Sequence, residues 1–203
     1  MTNTGIIHGT NRYLDLVNDS AAGSLFAVGS GQDYPGQLGA VMNLNAAEAL
    51  KFSSVLPVAL TNVGTLYAGR YQYVKFYVSQ SGTTVGGGPV YWQDPDNFVV
   101  SADVATGNLG FAGVALNLVT KGYCGWILTR GKCLCQPLDN TTKGSPAVGD
   151  VMILSTIGRF DDVDDPYATG APAALPVGQW ITAPVDATST LYPAYVRGAV
   201  LIG

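Results

Sequence analysis

The chain reads as an all-β protein, a compact β-barrel or β-sandwich with an extended, mostly irregular N-terminal arm, and three observations predict this. From Tyr71 the apolar period becomes two. In Tyr71-Gln-Tyr-Val-Lys-Phe-Tyr-Val78 the residues Tyr71, Tyr73, Lys75 and Tyr77 share one face, and Gln72, Val74, Phe76 and Val78 share the other. Short apolar runs then alternate with glycine-rich turns as far as Gln136, the pattern of strands folded back on one another. No helical period persists long enough for an α/β fold.

Each element has a local reason. Residues 1–60 hold isolated apolar patches (Leu14 to Val17, Leu25 to Val28, Val55 to Leu60) between small polar residues, so they are assigned to the arm and residues 61–203 to the β domain. Within the arm only Asn45 to Phe52 reads as a helix, with Asn45 as its cap and Glu48 three residues on. Such a leader either crosses a neighbouring subunit or supplies an edge strand to its own domain. Val90 to Gln93 is a short strand, Asp94-Pro-Asp-Asn97 a four-residue turn with proline second, and Phe98 to Ser101 the returning strand.

Leu109 to Leu116 is the next strand, with Gly110 and Gly113 at bends or close approaches. Thr120-Lys-Gly-Tyr123 turns into a strand at Cys124 to Thr129, and Arg130-Gly-Lys132 reads as a tight hairpin into Cys133 to Gln136. Ala147 to Ile157 is a further strand run. Residues 159–190 read as an irregular acidic and Pro/Ala-rich insertion, and Ala194 to Ile202 closes the chain as a strand.

Composition bounds the function. Charged residues are only 12% of the 203, about half the roughly 25% usual for soluble domains, while there are 26 glycines and 11 tyrosines. A surface so short of charge is expected to be covered by partners. The net charge is −4 and no run of lysine or arginine exists, so nucleic acid is not an expected partner. No apolar run approaches the ~20 residues that span a bilayer, and no signal peptide opens the chain, so no membrane is expected and synthesis is placed in the cytoplasm. Three cysteines, an odd number, argue for reduced thiols.

Reactive constellations are sparse. His8, the sole histidine, lies in the leader and reads as a bystander; no nucleophile elbow, phosphate loop or dinucleotide fingerprint is present. Cys133-Leu-Cys135 with Cys124 and His8 totals four soft ligands, but C-x-C is tighter than the zinc spacing, so the thiols read as small core or edge residues. Asp161-Asp-Val-Asp-Asp165 lacks the glycine and glutamate of a calcium loop and reads as solvated. Tyr91, Trp92, Trp126 and Trp180 offer stacking faces for a sugar, against a plainer role as core or interface anchors. No catalytic residue, metal or cofactor is expected.

One stretch carries a family signal: P-V-Y-W-Q-D at 89–94, N-F-V-V at 97–100, F-A-G-V-A-L-N at 111–117 and T-K-G-Y-C-G-W-I-L-T-R-G at 120–131. In this order of elements the segment from Gly88 to Gly131 resembles the capsid decoration, or cement, proteins of tailed bacteriophages. The resemblance implies a β-barrel or β-sandwich that adds to the outside of an assembled head, typically as a homotrimer, and clamps neighbouring subunits of the major capsid protein. On that reading the expected contact residues are Tyr13 and Leu14 in the leader, Tyr71, Tyr73 and Tyr77 on the strand face, and Tyr192 and Tyr195 near the end. The alternative is a glycan- or host-binding β-domain of a phage fibre or tail.

Overall fold

A capping box opens the helix expected at Asn45. The Asn45 side-chain Oδ1 accepts from the Glu48 N–H at 3.0 Å and Glu48 Oε2 accepts from the Asn45 N–H at 2.9 Å, satisfying donors that have no intrahelical partner. The computed structural model describes residues 38–55, 66–79, 86–103, 110–116, 121–138, 146–154, 158–162, 176–184 and 190–198. In it strand β1 (Val41–Leu44) leads into helix α1 (Ala46–Val55). Then come β2 (Gly69–Phe76), β3 (Pro89–Asp94), β4 (Val99–Ser101), β5 (Phe111–Ala115), β6 (Cys124–Cys135), β7 (Val151–Leu154), β8 (Phe160–Asp162), β9 (Gly178–Trp180) and β10 (Tyr192–Val196).

The protein is all-β in architecture, and five of its strands close into a barrel in the order β2-β4-β3-β5-β6, with β6 returning to β2. Four contacts in this ring are antiparallel; β2 and β4 run parallel, with Lys75 opposite Val99 and Phe76 opposite Val100. The β3–β4 turn is the one expected. Asp94 Oδ1 accepts from the Asn97 N–H at 3.2 Å and Oδ2 from the Asn97 side-chain amide at 2.7 Å, which holds the Asp94 carboxyl below its ordinary value. Val74, Phe76, Val90, Trp92, Val100, Ala112, Ala115 and Ile127 fill the barrel, the alanines of β5 leaving room for the larger rings.

The expected hairpin at Arg130-Gly-Lys132 does not form. β6 runs through it without turning, because its partners come from elsewhere: β2 pairs with Cys124 to Gly131 and β10 with Gly131 to Cys135. A one-residue bulge marks the passage, since Tyr71 faces Leu128 while Arg70 faces Arg130, leaving Thr129 as the extra residue. The Thr129 hydroxyl donates to the Arg70 carbonyl at 3.0 Å and so pins the bulge. The inserted residue reverses the phase of the strand. Before it Cys124, Trp126 and Leu128 face the larger core; after it Cys133 and Cys135 do, while Arg130 and Lys132 face away. Thr129→Val keeps the shape and removes this bond, so denaturant titration is expected to show a loss of about 1 kcal/mol. Unchanged stability would mean that the hydroxyl does not hold the bulge.

Beyond β6 the sheet continues as β10-β9-β7-β8. β8 then returns to the chain just past β6: the Leu138 N–H donates to the Phe160 carbonyl at 2.7 Å and the Phe160 N–H to the Gln136 carbonyl at 3.2 Å. The larger core lies between this extension and the outer wall of the barrel. It joins Tyr71, Tyr73, Phe111, Trp126 and Leu128 from the wall to Met152, Phe160, Val177, Trp180 and Val196 from the extension.

Several sequence boundaries shift accordingly. Part of the region assigned to an arm at 1–60 belongs to the domain, because β1 pairs with β2 and Met42, Leu44 and Ala49 enter the larger core. Residues 1–37 lie outside the described residues. The run at Ala147 to Ile157 begins with a turn, in which the Ala147 N–H donates to Asp150 Oδ2 at 2.5 Å and Gly149 takes a φ of 95°; among the described residues of the run, Val151–Leu154 is strand, and 155–157 lie outside them. Residues 159–190, expected as irregular, supply β8 and β9, whose Phe160 and Trp180 are buried because they complete the core that the barrel wall opens.

Candidate functional site

The tyrosine face of β2 is not available to a partner. Tyr71 and Tyr73 are 1% and 2% exposed and pack in the larger core, where the Tyr71 hydroxyl donates to the Tyr67 carbonyl at 2.6 Å and the Tyr73 ring lies 5.4 Å from that of Trp126. Alternation along β2 shows that both faces are covered. It does not show that the cover on this one is the chain's own extension. Burial, and next to it Cys133, push the Tyr71 phenol far above its ordinary value, against the opposing effect of the Tyr67 carbonyl bond.

The other expected contacts divide. Tyr77 is half-buried, Tyr192 is half-buried and packs against the larger core, and Tyr195 is 42% exposed on β10. Tyr13 and Leu14 lie outside the described residues. Sequence reading passed over the apolar side chains that the fold leaves exposed in turns. Val78 and Tyr123 lie at one end of the barrel, where the Phe76 N–H donates to the Tyr123 carbonyl and the Gly122 N–H to the Phe76 carbonyl, each at 2.8 Å. Val148 and Ile181 flank the 2.9 Å bond from the Gly149 N–H to the Trp180 carbonyl, and Leu50 stands out from α1. For all of these but Leu50, which sits in the helix, the signal in the sequence is a single large apolar residue beside turn formers.

Several described acids and thiols are engaged in structure. Glu48 closes the capping box, and Asp94 and Asp150 hold turns. Cys133 and Cys135 point the same way, as C-x-C in a strand requires, with their sulfurs 3.3 Å apart; burial, then the neighbouring Cys133, push the Cys135 thiol well up. Among the described residues no three His, Cys, Asp or Glu side chains gather as a metal site, and His8, Asp164 and Asp165 lie outside them. Asp161 and Asp162, expected in a solvated loop, are 5% exposed, because they continue β8 opposite Ile153 and Met152 of β7. No described helix is long and apolar enough to cross a membrane.

The four aromatics weighed for sugar stacking are 5% (Tyr91), 6% (Trp92), 2% (Trp126) and 1% (Trp180) exposed, so none offers a ring face. Trp92 fills the barrel, while Trp126 and Trp180 fill the larger core. The described surface instead carries isolated exposed apolar side chains at the barrel end and beside the ends of β7 and β9, with Tyr195 exposed on β10.

No protein-family model matches the chain, and no curated protein matches it. Among solved structures the chain is similar to the N base of the head fibre gp8.5 of bacteriophage phi29, with a TM-score of 0.39 and 14% identity over 64% of this chain and 96% of that one.

Proposed function

We propose that this chain is a non-enzymatic virion structural protein that binds the outer surface of a phage capsid as a homotrimer and stabilises contacts between subunits of the major capsid protein. The observation that carries the reading is where the decoration-protein signature falls. Its four segments, 89–94, 97–100, 111–117 and 120–131, lie on β3, β4, β5 and the first part of β6, which are four of the five strands of one closed barrel. A signature spread over consecutive strands of a single closed unit describes a scaffold, and among the described residues Glu48, Asp94 and Asp150 serve a cap and turns while the three cysteines are buried. A closed barrel also has no free edges along its ring, which suits a protein present in many copies at high local concentration. The glycan-binding alternative loses its motive with the burial of Tyr91, Trp92, Trp126 and Trp180.

The test is to mix the purified protein with heads assembled without it, then count bound copies and measure the temperature at which the heads release DNA. Binding to the exterior in many symmetric copies, with release moved to higher temperature, is the expected result. Attachment at one vertex or on the tail, or no change in release, would sink the proposal.

A further inference from the structure

The sheet face turned away from the larger core gathers several bases of the described residues. The phase reversal at Thr129 puts Arg130 and Lys132 on that face, with Arg70 directly opposite Arg130 on β2 and Tyr195 directly opposite Lys132 on β10. Arg197 lies two residues past Tyr195, just beyond the Val196–Gly131 pair. Gln179 and Val151 extend the row across β9 and β7, and Asn43 faces Arg70 from β1. Arg70, Arg130 and Arg197 are exposed; Lys132 is half-buried, with Nζ 4.6 Å from the centroid of the Tyr67 ring.

This segregation runs against the balance of the molecule. The chain has 14 acids and 10 bases, yet no Asp or Glu occurs in β1, β2, β6, β7, β9 or β10. Like charges directly opposite each other on paired strands destabilise a sheet, so the Arg70–Arg130 pair contributes nothing favourable to the isolated chain. A partner that brings negative charge removes that repulsion. Guanidinium groups suit carboxylates, which they meet two-pronged, and the interleaved Tyr67, Tyr195 and Val151 supply the apolar area that arginine-rich contacts use.

We infer that this face docks onto a carboxylate-rich protein surface and, resting on the capsid reading above, that the surface is the exterior of the head. A nucleic acid fits less well: a chain of net charge −4 repels a polyanion at range, and four cations fall short of the roughly six to ten phosphate contacts of strong electrostatic binders. Nor does the face suit a second copy of itself, which would set arginine against arginine.

The decisive variant combines Arg70→Glu, Arg130→Glu and Arg197→Glu in the full chain. A parallel set with Gln at the same positions guards against misfolding, and Lys121→Glu, at an exposed base outside this face, is the control. Each is sedimented with heads assembled without the protein at about 0.05 and 0.5 M salt. The wild-type chain is expected to bind about tenfold or more weakly at high salt, and the triple Glu variant to lose about tenfold or more at low salt, with the Gln set intermediate and the control unchanged. Triple variants that bind as the wild type does would overturn this inference and leave the capsid reading standing. A wild-type chain that sediments with heads at neither salt would remove the capsid reading and this inference with it. Binding of a duplex oligonucleotide that the triple variant loses would assign the face to nucleic acid. An oligomer that the triple variant breaks while still binding heads would assign it to a second copy. Either result overturns the inference.

Discussion

Gly131→Val is expected to lower the free energy of unfolding by about 3 kcal/mol or more, a large share of the ~5–15 kcal/mol that holds a typical domain. Gly131 has a φ of 131°, which side chains rarely tolerate, and a Cβ there would stand 2.7 Å from both the Ala68 carbonyl oxygen and the Gly69 Cα. Both neighbours are backbone, so no side chain can rotate out of the way. The position is also the hinge of the molecule, since Gly131 faces Gly69 in the barrel and Val196 in the extension. Denaturant titration of the purified variant is the measurement, with Gly131→Ala expected to fall between it and the wild type. A valine variant within about 1 kcal/mol of the wild type would show that β6 does not pass β2 this closely.

The second large effect is expected at Phe160, where truncation to alanine should cost about 3–5 kcal/mol. The ring is fully buried and stands edge-on to Phe111, with centroids 6.1 Å apart and planes at 82°. Phe111 belongs to the barrel wall and Phe160 to the last strand of the extension, so this contact ties the two together across the larger core. The double variant with Phe111→Ala isolates the pair, and a coupling of about 0.5–1.5 kcal/mol is expected. Strict additivity, or a Phe160→Ala loss below about 1 kcal/mol, would mean that the extension does not pack against the wall through these rings.

Much of the local structure was legible because its causes lie within four residues. The helix near Asn45 follows from a cap and an acid three residues apart, and the β3–β4 turn from an aspartate that bonds Asn97. The strands from Pro89 to Ala115 follow from short apolar runs bounded by turn residues. Arg130-Gly-Lys132 shows the limit. A glycine between two polar residues has the same local signature whether the chain reverses there or threads past a neighbour, and only β2 and β10 distinguish the two. The tyrosine face of β2 is a second case, since alternation identifies two faces but not which part of the chain covers each.

The exposed surface was less legible than the fold. Tyr71, Tyr73 and Tyr195 are equally aromatic, yet Tyr195 is exposed on β10 while Tyr71 and Tyr73 are core. The four bases of the outer face are spread over residues 70, 130, 132 and 197, so no window of sequence contains them as a cluster.

The sequence by itself determined that this is an all-β protein, where most of its strands and turns begin, and that its surface is poor in charge, because side-chain alternation, turn chemistry and composition act locally or in bulk. The tertiary structure alone decided that β6 stays continuous and serves both halves of the molecule. It decided too that one bulged threonine sets which residues of that strand face out, and that arginines sixty residues apart stand side by side. Those outcomes depend on which strands bury each other's apolar faces, a long-range choice on which no short stretch of the chain carries information.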